Sequence, residues 1–318
     1  MFLSFAPMEG LTDAVYRRVH RRFFPEADRY YAPFIAPDAA GQFRRSHLLA
    51  LRPEENGDID LVPQILTNSA DAFLAAAGTL AELGYREVNL NAGCPSGTVV
   101  SKHKGAGLLG DLAALDAFLN AVFSKAPVAV SVKTRLGLHS TAEFPALLAV
   151  YNRYPLSELI VHARDREGMY RSRPDRAAFA AAMADCRCPI CYNGDVFTPS
   201  DHASLRREFP TLERVMLGRG AVTNPALFRV LRGGKALERE ELRAFHDALL
   251  EARLAAGLPP VFALARMKEL WYYMIWLFPD SARLYKAVNK SRNLAAYRDA
   301  VSALFSGAAF DPAARFGG

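Results

Sequence analysis

The sequence predicts an α/β fold: a (β/α)8 TIM barrel followed by a C-terminal all-helical bundle. Three observations point there. Short apolar runs alternate with longer amphipathic stretches through eight units in the first ~230 residues, the rhythm of a parallel βα protein. No G-x-G-x-x-G follows the first run, which counts against a dinucleotide-binding open sheet. Beyond Arg232-Gly233-Gly234-Lys235 the pattern turns helical throughout. The expected domains are therefore a barrel over 1–234 and a helical domain over 235–318.

In chain order, strands are expected at 2–6, 29–32, 61–66, 87–91, 128–133, 158–162, 189–193 and 214–218. Helices are expected between them at 13–23, 69–83, 111–123, 141–153, 176–184, 199–209 and 224–231. The 38–58 stretch admits a short helix or a hairpin. The tail reads as helices 238–256, 263–278, 280–293 and 296–305, the first two parted by Gly257-Leu258-Pro259-Pro260.

A chain of 318 residues with 51% hydrophobic content can bury a large core. No stretch approaches the ~20 uninterrupted apolar residues of a membrane span, and the N-terminus lacks the basic region of a signal peptide. Four cysteines in this length make no disulfide framework and point to a reducing cytoplasm. Cys186, Cys188 and Cys191 lack a nearby fourth ligand, so no metal is expected there. The net charge of +6 is compatible with nucleic acid. Its distribution says more. Arg266, Lys268, Arg283, Lys286, Lys290, Arg292 and Arg298 face only Glu269 and Asp280, with Trp271, Tyr272, Tyr273, Trp276, Phe278, Tyr285 and Tyr297 interleaved. Basic and stacking groups together suit a structured RNA. An ordinary bundle with an aromatic core and a solvated basic face has the same composition.

Chemistry in such a barrel sits where the strands end. Here they end in Ala6-Pro7-Met8, Gln64, Asn91 to Cys94, Lys133-Thr134-Arg135, His162-Ala163-Arg164, Asn193-Gly194-Asp195 and Gly218-Arg219-Gly220. The last two follow strands seven and eight, where barrels of this kind hold phosphate on glycine-rich turns. Lys133 suits a Schiff base, a fixed cation beside an electron-rich ring, or a structural ion pair. FMN uses the whole set: Pro7 and Met8 at the ring face, Gln64 and Lys133 at its polar edge, and the phosphate near the last two turns. Cys94, between Gly93 and Pro95, reads as a thiol presented at a strand end, or as a small buried hydrophobe. The glycine-rich 96–107 segment behind it reads as a mobile lid.

Ala-Pro-Met-x-Gly-x-Thr-Asp at 6–13, Asn-x-Gly-Cys-Pro at 91–95, Gly-Ala-Gly-Leu-Leu at 105–109, Val-Lys-Thr-Arg-Leu-Gly at 132–137, His-x-Arg at 162–164, Asn-Gly-Asp at 193–195 and Gly-Arg-Gly-Ala at 218–221 together resemble the bacterial tRNA-dihydrouridine synthases. Arg266-Met267-Lys268 and Trp271 resemble that family's RNA-binding bundle. The resemblance implies NADPH-dependent, FMN-mediated reduction of a uridine C5=C6 bond in tRNA, usually in the D-loop. It implies Cys94 as general acid, and Asn91 and Arg135 as readers of the uracil. Arg266, Met267, Lys268, Lys290 and Arg292 are then candidates for tRNA contact. The implied protein is a cytoplasmic monomer. The 163–175 segment departs from the family pattern, lacking its glycine and Asp-Trp after the tyrosine. Two rivals remain: a flavin barrel acting on a free pyrimidine, which has no use for residues 235–318, and a non-catalytic tRNA-binding protein, which has no use for Cys94 and Lys133.

Overall fold

The computed structural model describes residues 1–317. Nine parallel strand segments form one sheet: β1 (Phe2–Phe5), β2 (Arg29–Tyr31), β3 (Leu61–Val62), β4 (Gln64–Ile65), β5 (Glu87–Ala92), β6 (Ala129–Gly137), β7 (Leu159–Asp165), β8 (Ile190–Asn193) and β9 (Arg214–Leu217). Their order is β3-β2-β1-β9-β8-β7-β6-β5-β4. The two ends of that order are separated by Pro63 alone, so the sheet closes on itself. Proline has no N–H for the ladder and splits the third predicted strand in two. Its carbonyl still accepts from Asn89, while Leu61 pairs with Tyr30 on the other side. Eight strands, one of them broken, make the predicted barrel.

Inside, Ala6, Tyr31, Val62, Ile160, Cys191 and Met216 form a buried layer drawn from six segments. Tyr31 donates to the buried carboxylate of Glu158, which Arg214 also reaches at 3.3 Å. Burial raises both the tyrosine and the glutamate above their ordinary ranges.

Helix starts follow from local side chains. Asp13, Ser69, Asp111, Asp175 and Asn293 each accept a first-turn backbone N–H, opening the helices at Ala14–Phe23, Ala70–Glu82, Leu112–Phe123, Arg176–Asp185 and Leu294–Gly307. The helix expected over 141–153 begins instead as a 3-10 turn with a Ser140/Glu143 capping box and becomes α-helical over Phe144–Tyr151. The ambiguous 38–58 stretch holds two short helices, Arg45–Ala50 and Pro53–Asn56.

Two compact units emerge, and they do not follow a linear boundary at 234. One comprises Met1–Pro7, Asp28–Gly194 and Phe209–Met216. The other comprises Met8–Ala27, Asp195–Glu208 and the chain from Leu217 onward. The basic Ala14–Phe23 helix belongs to the second because its other face is aromatic. Tyr16, His20, Phe23 and Phe24 all pack on Phe245, and Arg253 pairs with Asp13 at 2.6 Å. His20 is buried against the Pro225 carbonyl and is pushed down to about 3, chiefly by loss of water. The Gly233-Gly234 turn is pinned: Arg229 binds Glu241 through two 2.6 Å contacts and also reaches the Lys235 carbonyl.

Candidate active site

In a parallel barrel all strand C-termini share one end, and the first unit gathers there most of the residues the sequence singled out. A chain of amides runs across three strands. Gln64 donates to Asn89 at 2.8 Å, Asn89 to Ser131 at 2.9 Å, and Asn91 to Gln64 at 2.7 Å. The Asn91 Oδ1 then accepts the backbone N–H of both Gly93 and Cys94, at 3.1 and 2.9 Å. Asn91 thus folds the loop that carries the thiol. One N–H of its amide is left for another acceptor.

Cys94 is half-buried. The glycine-rich segment behind it is packed only in its second half; residues 96–98 and 101–103 are exposed. Residues Gly97–Val100 form a helical turn and Gly105–Gly110 a 3-10 helix, and Gly105 to Leu109 are buried. Gly105 adopts φ +57°, and a side chain there would meet the Cys94 carbonyl oxygen at 2.9 Å and its Cβ at 3.0 Å. A side chain at Gly107 would meet the Val100 carbonyl at 2.8 Å. These two glycines permit a close approach of backbone to backbone.

Two cations flank the loop. Arg135 donates from Nε to the Gly93 carbonyl and from Nη1 to the Asp165 carbonyl, both at 2.8 Å. It is buried beneath the ring of Tyr170, 5.8 Å away. Lys133 donates to Asn193 Oδ1 at 2.8 Å, and Asn193 in turn donates to the Met216 carbonyl at 2.9 Å. Lys133 keeps some accessible surface but is densely surrounded by protein. Burial and the neighbouring Arg135 push its ammonium down to about 7. His162 lies beside Arg164 at 3.1 Å and against Tyr170 at 5.7 Å. Ala6 and Pro7 close the first strand's end, Ala6 buried and Pro7 half-buried. A side chain at Gly194 would collide with the Tyr192 hydroxyl at 2.3 Å, a local reason for that glycine.

The sequence reading overlooked Tyr170. It is 50% exposed yet touches both Arg135 and His162. Its signal was present: a tyrosine shortly after His-x-Arg, in the stretch that departs from the family pattern.

The remaining candidates lie in the second unit. Met8 opens a turn in which its carbonyl accepts from Leu11 and Thr12, and Gly10 sits at φ +79°. Arg219 pairs with Asp195 at 2.6 Å and lies over the rings of Phe197 and Phe316. Its charge is thus already compensated within the protein. Gly218 precedes the short Arg219–Thr223 helix. Arg266 donates to the Gly10 carbonyl at 2.9 Å and pairs with Glu269, and Lys268 donates to the Ser291 carbonyl. Met267 is fully buried. It is a core residue of the helical unit and offers tRNA no surface, which corrects that assignment. Trp271, Phe278 and Tyr297 are core as well, with the Tyr297 hydroxyl bonded to both Trp271 and His246. Lys286, Lys290 and Arg292 remain exposed, as do Tyr272 and, outside the basic run, Val261 and Phe262.

No helix among the described residues is long and apolar enough to cross a membrane, and no group of three or more His, Cys, Asp or Glu among them is placed to hold a metal ion. A family model described as dihydrouridine synthase (Dus) matches residues 4–274. Among curated proteins, tRNA-dihydrouridine synthase B of Pseudomonas putida is 29% identical over 280 residues, covering 85% of this chain and 82% of that one. The tRNA-dihydrouridine(16) synthase of Aquipseudomonas alcaligenes is 27% identical over 317 residues, covering 92% and 96%. Among solved structures, a morphinone reductase variant aligns with a TM-score of 0.56 at 12% identity, over 77% of this chain and 90% of that one. A 2-naphthoyl-CoA reductase complex aligns at 0.55 and 11% identity, over 73% and 50%. At such identity these structures speak for the barrel fold alone.

Proposed function

Because the chain belongs to the dihydrouridine synthase family, we propose that it is a tRNA-dihydrouridine synthase, reducing the C5=C6 bond of uridines in tRNA with FMN as cofactor, NADPH as reductant and Cys94 as general acid. The observation that carries this reading is a half-buried thiol on a loop tied by Asn91 and Arg135, at the same barrel end as a depressed lysine. Lys133 fits the polar edge of a flavin. It spends one N–H on Asn193 and keeps two for a ligand. When bound, FMN supplies a hydride to C6 of the uracil.

The protein's own groups do the rest. Cys94 gives its proton to C5. Lys133 and Arg135 both interact electrostatically with Cys94 and so stabilise the negative charge left on sulfur. The guanidinium N–H groups that Arg135 does not spend on carbonyls are the donors for charge developing on the uracil oxygen. Because Tyr170 covers that guanidinium, its ring is the surface on which the extruded base stacks. The glycine-bearing turns at Asn193-Gly194, after β8, and at Gly218-Arg219, after β9, each stand as a proposed phosphate turn on chain order alone. The exposed Lys286, Lys290 and Arg292 are proposed to hold the tRNA body, with the D-loop as target and a cytoplasmic monomer as the working form.

The test is direct. Purified protein should show flavin absorbance or gain it on reconstitution. It should then oxidise NADPH and add about 2 Da per uridine to unmodified tRNA. A well-folded chain that takes up no FMN refutes the reading.

A further inference from the structure

At the opposite end of the barrel from Cys94, the loop between the Arg176–Asp185 helix and β8 carries Cys186-Arg187-Cys188. The two sulfurs stand 3.5 Å apart, and Cys186 Sγ also lies 3.4 Å from the Cys188 carbonyl oxygen. Both cysteines are partly accessible and Arg187 between them is exposed. The loop is clamped from outside: Asn152 donates to the Asp185 carbonyl and accepts the Arg187 N–H, each at 2.9 Å. The Cys186 N–H closes on the Ala182 carbonyl at 2.9 Å. The pair therefore sits together on a fixed turn.

We infer that Cys186 and Cys188 form a peroxide-reactive dithiol that closes to a reversible intrachain disulfide. Cys186 attacks the hydroperoxide. An S–O bond forms, the O–O bond breaks and an alcohol or water leaves. Cys188 then attacks the Cys186 sulfur. The S–S bond forms, the S–O bond breaks, and water departs with the second thiol proton. Two thiols are oxidised by two electrons and one hydroperoxide is reduced. The sulfurs must approach to about 2 Å, a short closure within one turn. Cys186 is taken as the attacking group: its sulfur contacts that of Cys188, and this neighbour holds it below the usual thiol range. Cys191 is excluded as the first reactant. It is buried in the barrel layer, which pushes its thiol well up. None of this rests on the flavin or on tRNA.

Trypsin supplies the assay because it cuts after Arg187, between the two cysteines. The full chain is treated with equimolar hydrogen peroxide, alkylated, digested and mapped by mass. The expected product is residues 177–187 joined to 188–206, about 2 Da lighter than the two thiol peptides together and released by dithiothreitol. Cys186→Ser and Cys188→Ser should each abolish the link, while Cys191→Ala keeps it. If Cys191→Ala does not fold, fragment ions of the wild-type linked peptide must place the bond at Cys188. A link that survives in Cys188→Ser, oxidation of Cys186 to a sulfinic acid with no link, or a pair left reduced while the Cys94 peptide oxidises each overturns the proposal.

Discussion

Lys133→Met separates the ammonium's service to a cofactor from its cost to the fold. In the cofactor-free protein, burial and Arg135 push Lys133 to about 7, against about 10.4 for an ordinary lysine. A ligand that needs the charged form must then take up a proton whenever the pH lies above 7. FMN affinity should be full below about pH 7 and weaken roughly tenfold per unit above it, until the raised pKa of the loaded site is reached. The second ionisation of the FMN phosphate is common to wild type and variant, so the difference between their slopes is the readout. The stability of the cofactor-free fold should run the other way. Its folded pKa lies below the unfolded one, so between about 7 and 10.4 the unfolded chain binds more protons. Folding stability should therefore rise with pH across that window, by about 1.4 kcal/mol per unit, and level off above it. In Lys133→Met both slopes should flatten, and FMN affinity at about pH 6.5 should drop below wild type. FMN fluorescence titrations and urea unfolding of cofactor-free protein, each at about pH 6–9.5, supply the two curves. Wild type and variant sharing one slope in both experiments would refute the reasoning.

Cys94→Ala should keep FMN, tRNA binding and NADPH oxidation while dihydrouridine formation falls by ~10²–10⁴-fold; near-normal product by mass spectrometry would make Cys94 structural. Gly105→Ala places a non-glycine residue at φ +57° against Cys94, a cost of about 1–2 kcal/mol from backbone handedness alone. Its melting temperature and product yield should both drop, and a wild-type melt would mean the loop yields freely. Tyr170→Ala should lower kcat/KM on tRNA by ~10–100-fold, the worth of one stacked base, while NADPH oxidation without tRNA holds steady. Reversing Lys290 and Arg292 to Glu should weaken tRNA binding and reduce its salt slope by about two. Arg266→Ala with Lys268→Ala should act first on the melting of the helical unit, because those side chains serve the Gly10 and Ser291 carbonyls. An unchanged slope in the Lys290/Arg292 variant would move the tRNA elsewhere.

The barrel was legible because period and punctuation are local. Each strand is a short apolar run, and helix after helix opens on a side chain that caps its own first turn. Pro63 shows where that locality ends. It announces a broken ladder but not that the break falls where the sheet closes. The unit boundary was not legible for a related reason. The Ala14–Phe23 helix carries an aromatic stripe beside its arginines, and a stripe says that a partner exists without saying which. Only the fold supplies Phe245, more than two hundred residues away.

The site divides in the same way. The motifs pointed to residues at the strand ends, yet a motif does not say which demand fixes a residue. Asn91 looked like a reader of the base, and its amide is first a loop-folding device holding two backbone N–H groups. Arg135 looked like a partner for substrate, and two of its donors hold carbonyls of the chain. Arg219 looked like a phosphate cation, and it is half of an ion pair with Asp195. In each case the polar group is already engaged within the chain, and only its remaining donors are available to a ligand. That arithmetic shifts the functional weight to Cys94, Lys133 and Tyr170: a thiol on the shaped loop, an ammonium with donors to spare, and an exposed ring over a buried charge. Variants of Asn91 should therefore resemble Gly105→Ala, losing loop order and product together, whereas variants of Tyr170 should lose tRNA turnover with the fold intact. Matching Asn91→Ala and Tyr170→Ala in melting temperature would contradict that division.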